Sequence, residues 1–406
     1  MPGTEIDTGG SKTDSRDGEK TDTAGRGGVT VPFLPGHTVG DELAMLAEVV
    51  ECRAPEGDGS FTRRVERWLE TRFGAPRVLL THSVDAALEI AMMLHDLGPG
   101  DEVLMPTFNY MPAANACLRS GARPVFVDIE SESLNLDPAF TRRAVTPRTR
   151  ALVTACYAGI APDHEALAAI AHDHDLLLIE DAALGFAATL GDRALGTLGD
   201  VGAWCFHPRR HITAGEAGAL IVHDPEHIPQ AEQLRERGTT RQQVLRGEAP
   251  SYDWVRPGMT ALPSDLAAAY LWAQLQHLEA TLDRLRGHVE HYRSGFAEAA
   301  LAGRIELPAQ PADRQDNASI FYLMVPDQAA RDRIVQMVYG AGIIAGQHYT
   351  PLHLEPMGRD LGGAPGQLPV AEAASGRLLR LPLFVDLTRS QQDRVITQVL
   401  RCLDRL

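Results

Sequence analysis

Apolar residues in this chain follow two rhythms. Short apolar runs at 78–80, 102–105, 124–128, 151–156, 176–179, 202–206 and 219–222 predict seven strands. Between them, apolar positions recurring every three to four residues predict helices at about 84–96, 109–120, 137–144 and 163–173. Strands apolar on both faces, alternating with helices, argue for an α/β fold: a mostly parallel seven-stranded sheet sandwiched between helices. Two amphipathic segments, 41–53 and 60–73, precede the sheet. A longer one, from Leu262 to about His291, predicts a single helix linking two domains. The remainder predicts a smaller α+β domain. It holds a strand at 320–325 stopped by Pro326, a helix at 329–341, the stretch Gly342–Ile344 and a closing helix from Ser390 to Leu406. The expected organisation is a disordered tail (1–30), a large domain (31–260), the linking helix (261–290) and a small domain (291–406).

Composition narrows the function. The 406 residues carry a formal charge of −16 and are 44% hydrophobic, enough for a large core. An acidic chain makes a poor partner for nucleic acid or an anionic membrane, since neutralising phosphates needs a basic face. Five cysteines lie far apart without metal-ligand spacing, and no apolar run reaches the length of a membrane span. These features, with no apolar centre near the N-terminus, give the expectation of a reduced, cytoplasmic protein acting on a small molecule. Lysine occurs only at Lys12 and Lys20, both in the polar tail; the other basic residues are arginines.

The chemistry concentrates after the sixth strand. There Trp204-Cys205-Phe206 runs into His207-Pro208-Arg209-Arg210-His211-Ile212-Thr213, followed by Gly215-Glu216-Ala217-Gly218. Histidine moves protons near neutral pH, and a neighbouring guanidinium holds an oxyanion through a bidentate fork. Several further stretches match in order and spacing. They are Gly98-Pro99-Gly100-Asp101-Glu102-Val103, Pro106-Thr107-Phe108-Asn109-Tyr110, Pro124-Val125-Phe126-Val127-Asp128-Ile129, Ile179-Glu180-Asp181-Ala182-Ala183, His348-Tyr349-Thr350-Pro351-Leu352-His353 and Leu381-Pro382-Leu383-Phe384. Together they resemble the DegT/DnrJ/StrS sugar aminotransferases, fold type I pyridoxal-phosphate enzymes, from about residue 32 to the end. The resemblance implies a two-domain aminotransferase-like fold, a homodimer, and substrates such as nucleotide-linked keto-sugars or aminocyclitols of antibiotic and cell-surface pathways.

Carried over position by position, the resemblance puts Arg210 where the family's Schiff-base lysine stands. A guanidinium neither deprotonates nor condenses with an aldehyde. The phosphate-binding turn corresponds to Ser83-Val84-Asp85, and the later phosphate-binding serine to Cys205. Thr260-Ala261-Leu262 replaces the segment one subunit lends its neighbour. Asp181 stands where the family pairs a carboxylate with the pyridine nitrogen, and Tyr110 where an aromatic ring stacks on the cofactor.

The leading expectation is an enzyme that has lost covalent cofactor binding and uses no cofactor. It would act by acid–base and electrostatic catalysis (dehydration, cyclisation or isomerisation) through His211 as base with Arg210 and Asp181. Ser83, Val84, Asp85, Tyr110, Cys205, His207, Arg209 and Glu216 would line the former cofactor pocket, and His348 and His353 its mouth. No metal is expected. One alternative is a silent partner of an active paralogue. Another is an aminotransferase or dehydratase that holds pyridoxal or pyridoxamine phosphate (PLP or PMP) non-covalently. In the plainest reading, Arg210 forms a buried ion pair with Asp181 or Asp85 and does no chemistry.

Overall fold

The computed structural model describes residues 28–406. Most of the expected tail, including both lysines, lies outside the described residues. The helices α1 (Glu42–Glu51) and α2 (Ser60–Phe73) lead into the sheet. Its first half alternates as the apolar pattern requires: β1 (Arg77–Thr81), α3 (Val84–Leu94), β2 (Glu102–Pro106), α4 (Pro112–Ser120), β3 (Arg123–Val127), α5 (Pro138–Ala144), β4 (Thr149–Ala155), α6 (His164–Asp173) and β5 (Leu177–Asp181). A small hairpin, β6 (Thr189–Leu190) and β7 (Arg193–Ala194), precedes β8 (Val201–Cys205) and β9 (Gly218–Val222).

The strand order is β1-β9-β8-β5-β4-β2-β3. The pairs from β3 to β8 are parallel, while β9 runs antiparallel to both its neighbours. The expected mostly parallel α/β sheet is therefore present, with all seven strands within two residues of their predicted limits. Both faces are covered. Val103, Val153, Ile179 and Leu220 face one apolar layer with α3 and α4, while Leu80, Trp204 and Ile221 face another with Phe61, Leu69 and Leu271. Strands buried on both sides read as unbroken apolar runs, which is why they were legible.

Beyond the sheet come α7 (Ile228–Arg235) and α8 (Arg241–Leu245), which the apolar pattern does not predict. The expected single linking helix is two: α9 (Asp265–Gln276) and α10 (Leu278–Leu301). The break is at His277, whose φ of −108° and ψ of 14° leave the helical range while its ring meets Asp41 at 2.7 Å. This lets α9 pack on α1 and α2 of the large domain and α10 on the closing helix α14 (Arg389–Leu403). The C-terminal part adds β10 (Arg314–Gln315), β11 (Tyr322–Met324), α11 (Gln328–Gly340), α12 (Pro356–Asp360), α13 (Pro369–Arg377) and β12 (Leu378–Arg380). β10 reaches back to pair with β6 of the large domain, and β11 and β12 pair antiparallel over a core that includes Tyr292, Phe296, Phe321 and Val395. Val31 bridges to Ile343, fastening the start of the folded chain to this C-terminal part.

Candidate active site

Parallel strands converge their carboxyl ends on one edge, and ligands of open α/β sheets bind there. That edge presents the turn after β1, the loop after β2, the end of β4, Asp181 at the end of β5 and the loop after β8. The small domain contributes His348, Tyr349 and Arg380 across the cleft.

Asp181 is 5% exposed and anchors the floor. One carboxylate oxygen accepts from Asn109 Nδ2 at 3.1 Å, the other from the Ala183 N–H at 3.2 Å. Burial pushes its carboxyl above the ordinary range, while those two donors and the Arg210 charge pull it back.

Arg210 lies in the turn after β8, its backbone N–H donating to the His207 carbonyl at 2.9 Å. Its side chain is half-buried and its Nε is sealed from solvent without a partner. Burial opposes the charge, but Cys205, Tyr349 and Asp181 outweigh it, so the guanidinium is held more firmly protonated than usual. Asp181 acts on it through space rather than by a hydrogen-bonded contact. The buried ion pair of the plainest reading is thus present only as a longer-range attraction.

The turn after β1 begins α3. Ser83 is in an extended conformation and caps the helix, its Oγ accepting from the Ala86 N–H at 3.1 Å. Val84 is buried beneath it, and Asp85 faces solvent. An exposed carboxylate is screened, so the repulsion expected from Asp85 toward a phosphate is softened. Gly218 of β9 presses directly on this turn: a Cβ there would lie 2.5 Å from the Val84 nitrogen. Cys205 is buried at the end of β8 beside Arg210.

His207 and Glu216 meet across the loop, Nε2 to Oε1 at 3.4 Å, with both side chains well exposed. The Arg209 N–H donates to His207 Nδ1 at 3.2 Å. His211, the expected base, points the other way, into the core. It is 8% exposed, its ring lies 6.0 Å from that of Phe186, and neither ring nitrogen makes a hydrogen bond of normal geometry. Burial, reinforced by Arg210 and His37, pushes its pKa down to about 3. So weak and enclosed a base is ill-suited to proton abstraction near neutral pH.

His348 belongs to the cleft. It stacks on Tyr349 with ring centres 4.3 Å apart and planes 6° from parallel. Arg380 Nη1 donates to its Nε2 at 2.5 Å, and its Nδ1 lies 3.2 Å from the Tyr157 hydroxyl. Arginine only donates, so Nε2 is the acceptor and Nδ1 carries the proton toward Tyr157. Burial and the Arg380 charge hold this imidazole neutral, with its pKa well below the usual value. His353, expected beside it at the mouth, is instead 1% exposed and locked in place. Its Nδ1 accepts from Thr107 at 2.7 Å and its Nε2 donates to Glu372 at 3.1 Å. A ring whose two nitrogens are both committed inside the protein fastens the α12–α13 region to β2, a structural post rather than a mouth residue.

Tyr110 is 44% exposed, with its ring 6.1 Å from that of Tyr349. Tyr349 in turn neighbours Phe108, Tyr157 and His348, forming one aromatic wall. Residue-by-residue reading missed Asn109, Tyr157, Tyr349 and Arg380. Asn109 and Tyr349 lay inside matched stretches without an assigned role. Arg380 had a signal of its own, a charge interrupting the apolar run Leu378-Leu379-Arg380-Leu381. No group of three or more metal-ligating side chains occurs among the described residues.

Comparison with known proteins bears on this geometry. Residues 38–400 match the sequence profile of the DegT/DnrJ/EryC1/StrS aminotransferase family. The chain is 34% identical over 373 residues to the erythromycin biosynthesis sensory transduction protein EryC1 of Saccharopolyspora erythraea, covering 90% of this chain and 98% of that one. It is 31% identical over 354 residues to a dTDP-4-dehydro-2,3,6-trideoxy-D-glucose 4-aminotransferase of Saccharopolyspora spinosa, covering 86% and 90%. The putative sugar aminotransferase Spr1654 of Streptococcus pneumoniae superimposes with a TM-score of 0.86 at 24% identity, covering 93% of this chain and all of that one, and its structures include PLP and PMP forms. These findings overturn the expectation of a site without cofactor. The family is one of PLP-dependent aminotransferases, and the floor here keeps a buried carboxylate, Asp181, hydrogen-bonded by Asn109. No helix among the described residues is long and apolar enough to cross a membrane. The chain belongs to the DegT/DnrJ/EryC1/StrS aminotransferase family, the sugar aminotransferases of antibiotic and sugar biosynthesis.

Proposed function

We propose that this protein processes a keto-sugar of a biosynthetic pathway with PLP or PMP held non-covalently, and that Arg210 occupies the place of the family's Schiff-base lysine. The observation that carries the reading is the pairing of a preserved floor with an altered anchor. Asp181 is buried and hydrogen-bonded by Asn109, yet the cation that acts on it from the loop after the neighbouring strand β8 is a guanidinium. Lysine occurs nowhere beyond Lys20.

The residues present fit the cofactor. Asp181 would hold the pyridine nitrogen and Tyr110 would cover the ring. The N–H groups at the start of α3 would take the phosphate, where the helix dipole favours an anion. When bound, the cofactor supplies an electron sink for charge developing on the carbon next to its nitrogen. The protein's own groups position and shield. Asn109 fixes the Asp181 carboxylate, Arg210 supplies permanent positive charge at the reacting side, and the wall of Tyr349 and Phe108 excludes water. Proton transfer falls to His207, which is open to the cleft loop and has Glu216 as an acid partner. His211 is withdrawn from that role by its burial.

The test is spectroscopic. Protein loaded with PLP should show cofactor absorbance that dialysis removes, and borohydride should leave no adduct on the polypeptide. Arg210→Lys should make the cofactor resist dialysis and become trappable by borohydride. A trappable adduct on the unaltered protein would refute the reading.

The same reading includes a dimer, with a second copy or with a lysine-bearing paralogue. Leu245, Tyr252, Trp254 and Val255, which follow α7, are strongly exposed on the single chain, Trp254 by 77%. Apolar clusters of this kind mark contact surfaces. Light scattering on the purified protein distinguishes a dimer from a monomer.

A further inference from the structure

The sheet presents polar side chains at both of its edges. Where β4, β5 and β8 begin and the antiparallel β9 ends, opposite the catalytic cleft, the surface opens into a cavity of about 670 Å³. Its floor is apolar and buried, made of Leu176, Leu178 and Leu198. Its rim is polar and exposed: Arg150 of β4, His172 in the last turn of α6, and Asp175 in the turn before β5. Among the described residues, none of these three side chains has a hydrogen-bond or ion-pair partner. Asp200, just before β8, accepts from the Leu178 N–H at 2.8 Å through one carboxylate oxygen, and the other has no donor among the described residues. His95, at the end of α3, and His223, just past β9, stand half-buried between rim and floor. Burial lowers the pKa of both, reinforced by His227 at His95 and by Arg193 at His223, so these rings are neutral near pH 7 and can accept as well as donate.

That lining selects an occupant. A leucine floor takes the C–H face of a ring rather than a charge. A guanidinium that only donates, carboxylates that only accept, and imidazoles that do either together answer hydroxyl groups, each of which gives and receives. The permanent charges are one guanidinium and two carboxylates, which leaves one negative charge unanswered. A phosphate or carboxylate would meet like charge at the rim, whereas a single cation would meet its complement. The volume is that of a site for a small organic ligand. We propose that this cavity is a second binding site, separate from the catalytic cleft, for an amino sugar: a hydroxylated ring carrying one ammonium group, held by Asp175 and the open oxygen of Asp200. Amino transfer to a keto-sugar makes this class of compound, so the site takes the enzyme's own kind of product. That identification rests on the functional reading above; the binding chemistry does not.

The experiment is calorimetric titration of the full chain with D-glucosamine and D-galactosamine, against their N-acetyl forms, glucose and ethanolamine. The N-acetyl forms and glucose keep the ring without the cation, and ethanolamine keeps the cation without the ring. An amino sugar is expected to bind about tenfold more tightly than any of these, the scale of one charge-assisted hydrogen bond. Asp175→Asn removes the charge while suiting the left-handed backbone there (φ 52°), so the fold is kept. It should weaken amino-sugar binding about tenfold and leave PMP binding unchanged. No binding of either amino sugar, or glucosamine bound no better than glucose or ethanolamine, overturns the proposal. Binding indifferent to Asp175→Asn also overturns it, because the sugar is then held elsewhere, as in the catalytic cleft. A borohydride-trappable cofactor adduct alongside Asp175-dependent glucosamine binding would refute the functional reading and leave this site standing.

Discussion

At the scale of single residues, burial sets the chemistry more than residue type does. Two adjacent side chains of the loop after β8 show this: Arg210 turns to the cleft, while His211 turns into the core and loses its basicity. No sequence pattern separates them, because both follow a strand end where the chain direction changes. Arg380 titrates early for the same reason. Burial, with Arg210 and Arg209, brings its pKa down to about 10 against the opposing pull of Tyr157 and Tyr349, with neutral His348 alongside. Glu180 offers a stability test. It is 2% exposed, accepts from the Leu198 N–H at 2.9 Å, and burial raises its pKa to about 7. An acid whose folded pKa lies above its unfolded value binds more protons when folded, so its stabilising contribution is present below about pH 4.3 and is lost as pH rises through about 7. Glu180→Gln should flatten that decline in urea-unfolding curves between those limits.

At the scale of elements, contacts between distant segments tie the C-terminal helices to the sheet around the cleft. Asp128, just past β3, accepts from the Val370 and Ala371 N–H groups at 3.0 and 2.8 Å, a carboxylate set at the N-terminus of α13. Asp128→Ala should cost about 2 kcal/mol, the loss of charge-assisted bonds to buried donors, seen as a lower urea midpoint. His353 does the same for β2. His353→Ala strands the Thr107 hydroxyl and takes one donor from Glu372, which keeps the Gly366 and Leu368 N–H groups, with an expected loss of about 1–3 kcal/mol. Both residues sit in stretches whose order was readable. Their roles were not, since each partner lies more than 200 positions away or across a turn that periodicity does not describe. The break at His277 was hidden similarly: an apolar stripe continues through it, and only packing on two different domains reveals the change of direction.

At the scale of the whole molecule, the cleft is made from segments far apart in the chain, with Asp181 and Tyr157 from the ends of sheet strands and His348 and Arg380 from the C-terminal part. A ligand that bridges them binds the folded chain alone and stabilises it by mass action, about 2.7 kcal/mol at a hundred times its dissociation constant. PMP should therefore raise the melting temperature, which differential scanning calorimetry reads.

By itself, the sequence determined the sheet, its seven strands, the helices that cover it and the absence of lysine beyond the tail. Each depends on local periodicity or on residue identity, which the chain carries directly. The tertiary structure alone decided which of Arg210 and His211 is sealed in the core, that His353 is a post, and that Arg380 meets His348. Those facts depend on which segments, distant along the chain, exclude water from one another, and burial of that kind fixes both the direction a side chain faces and the charge it keeps.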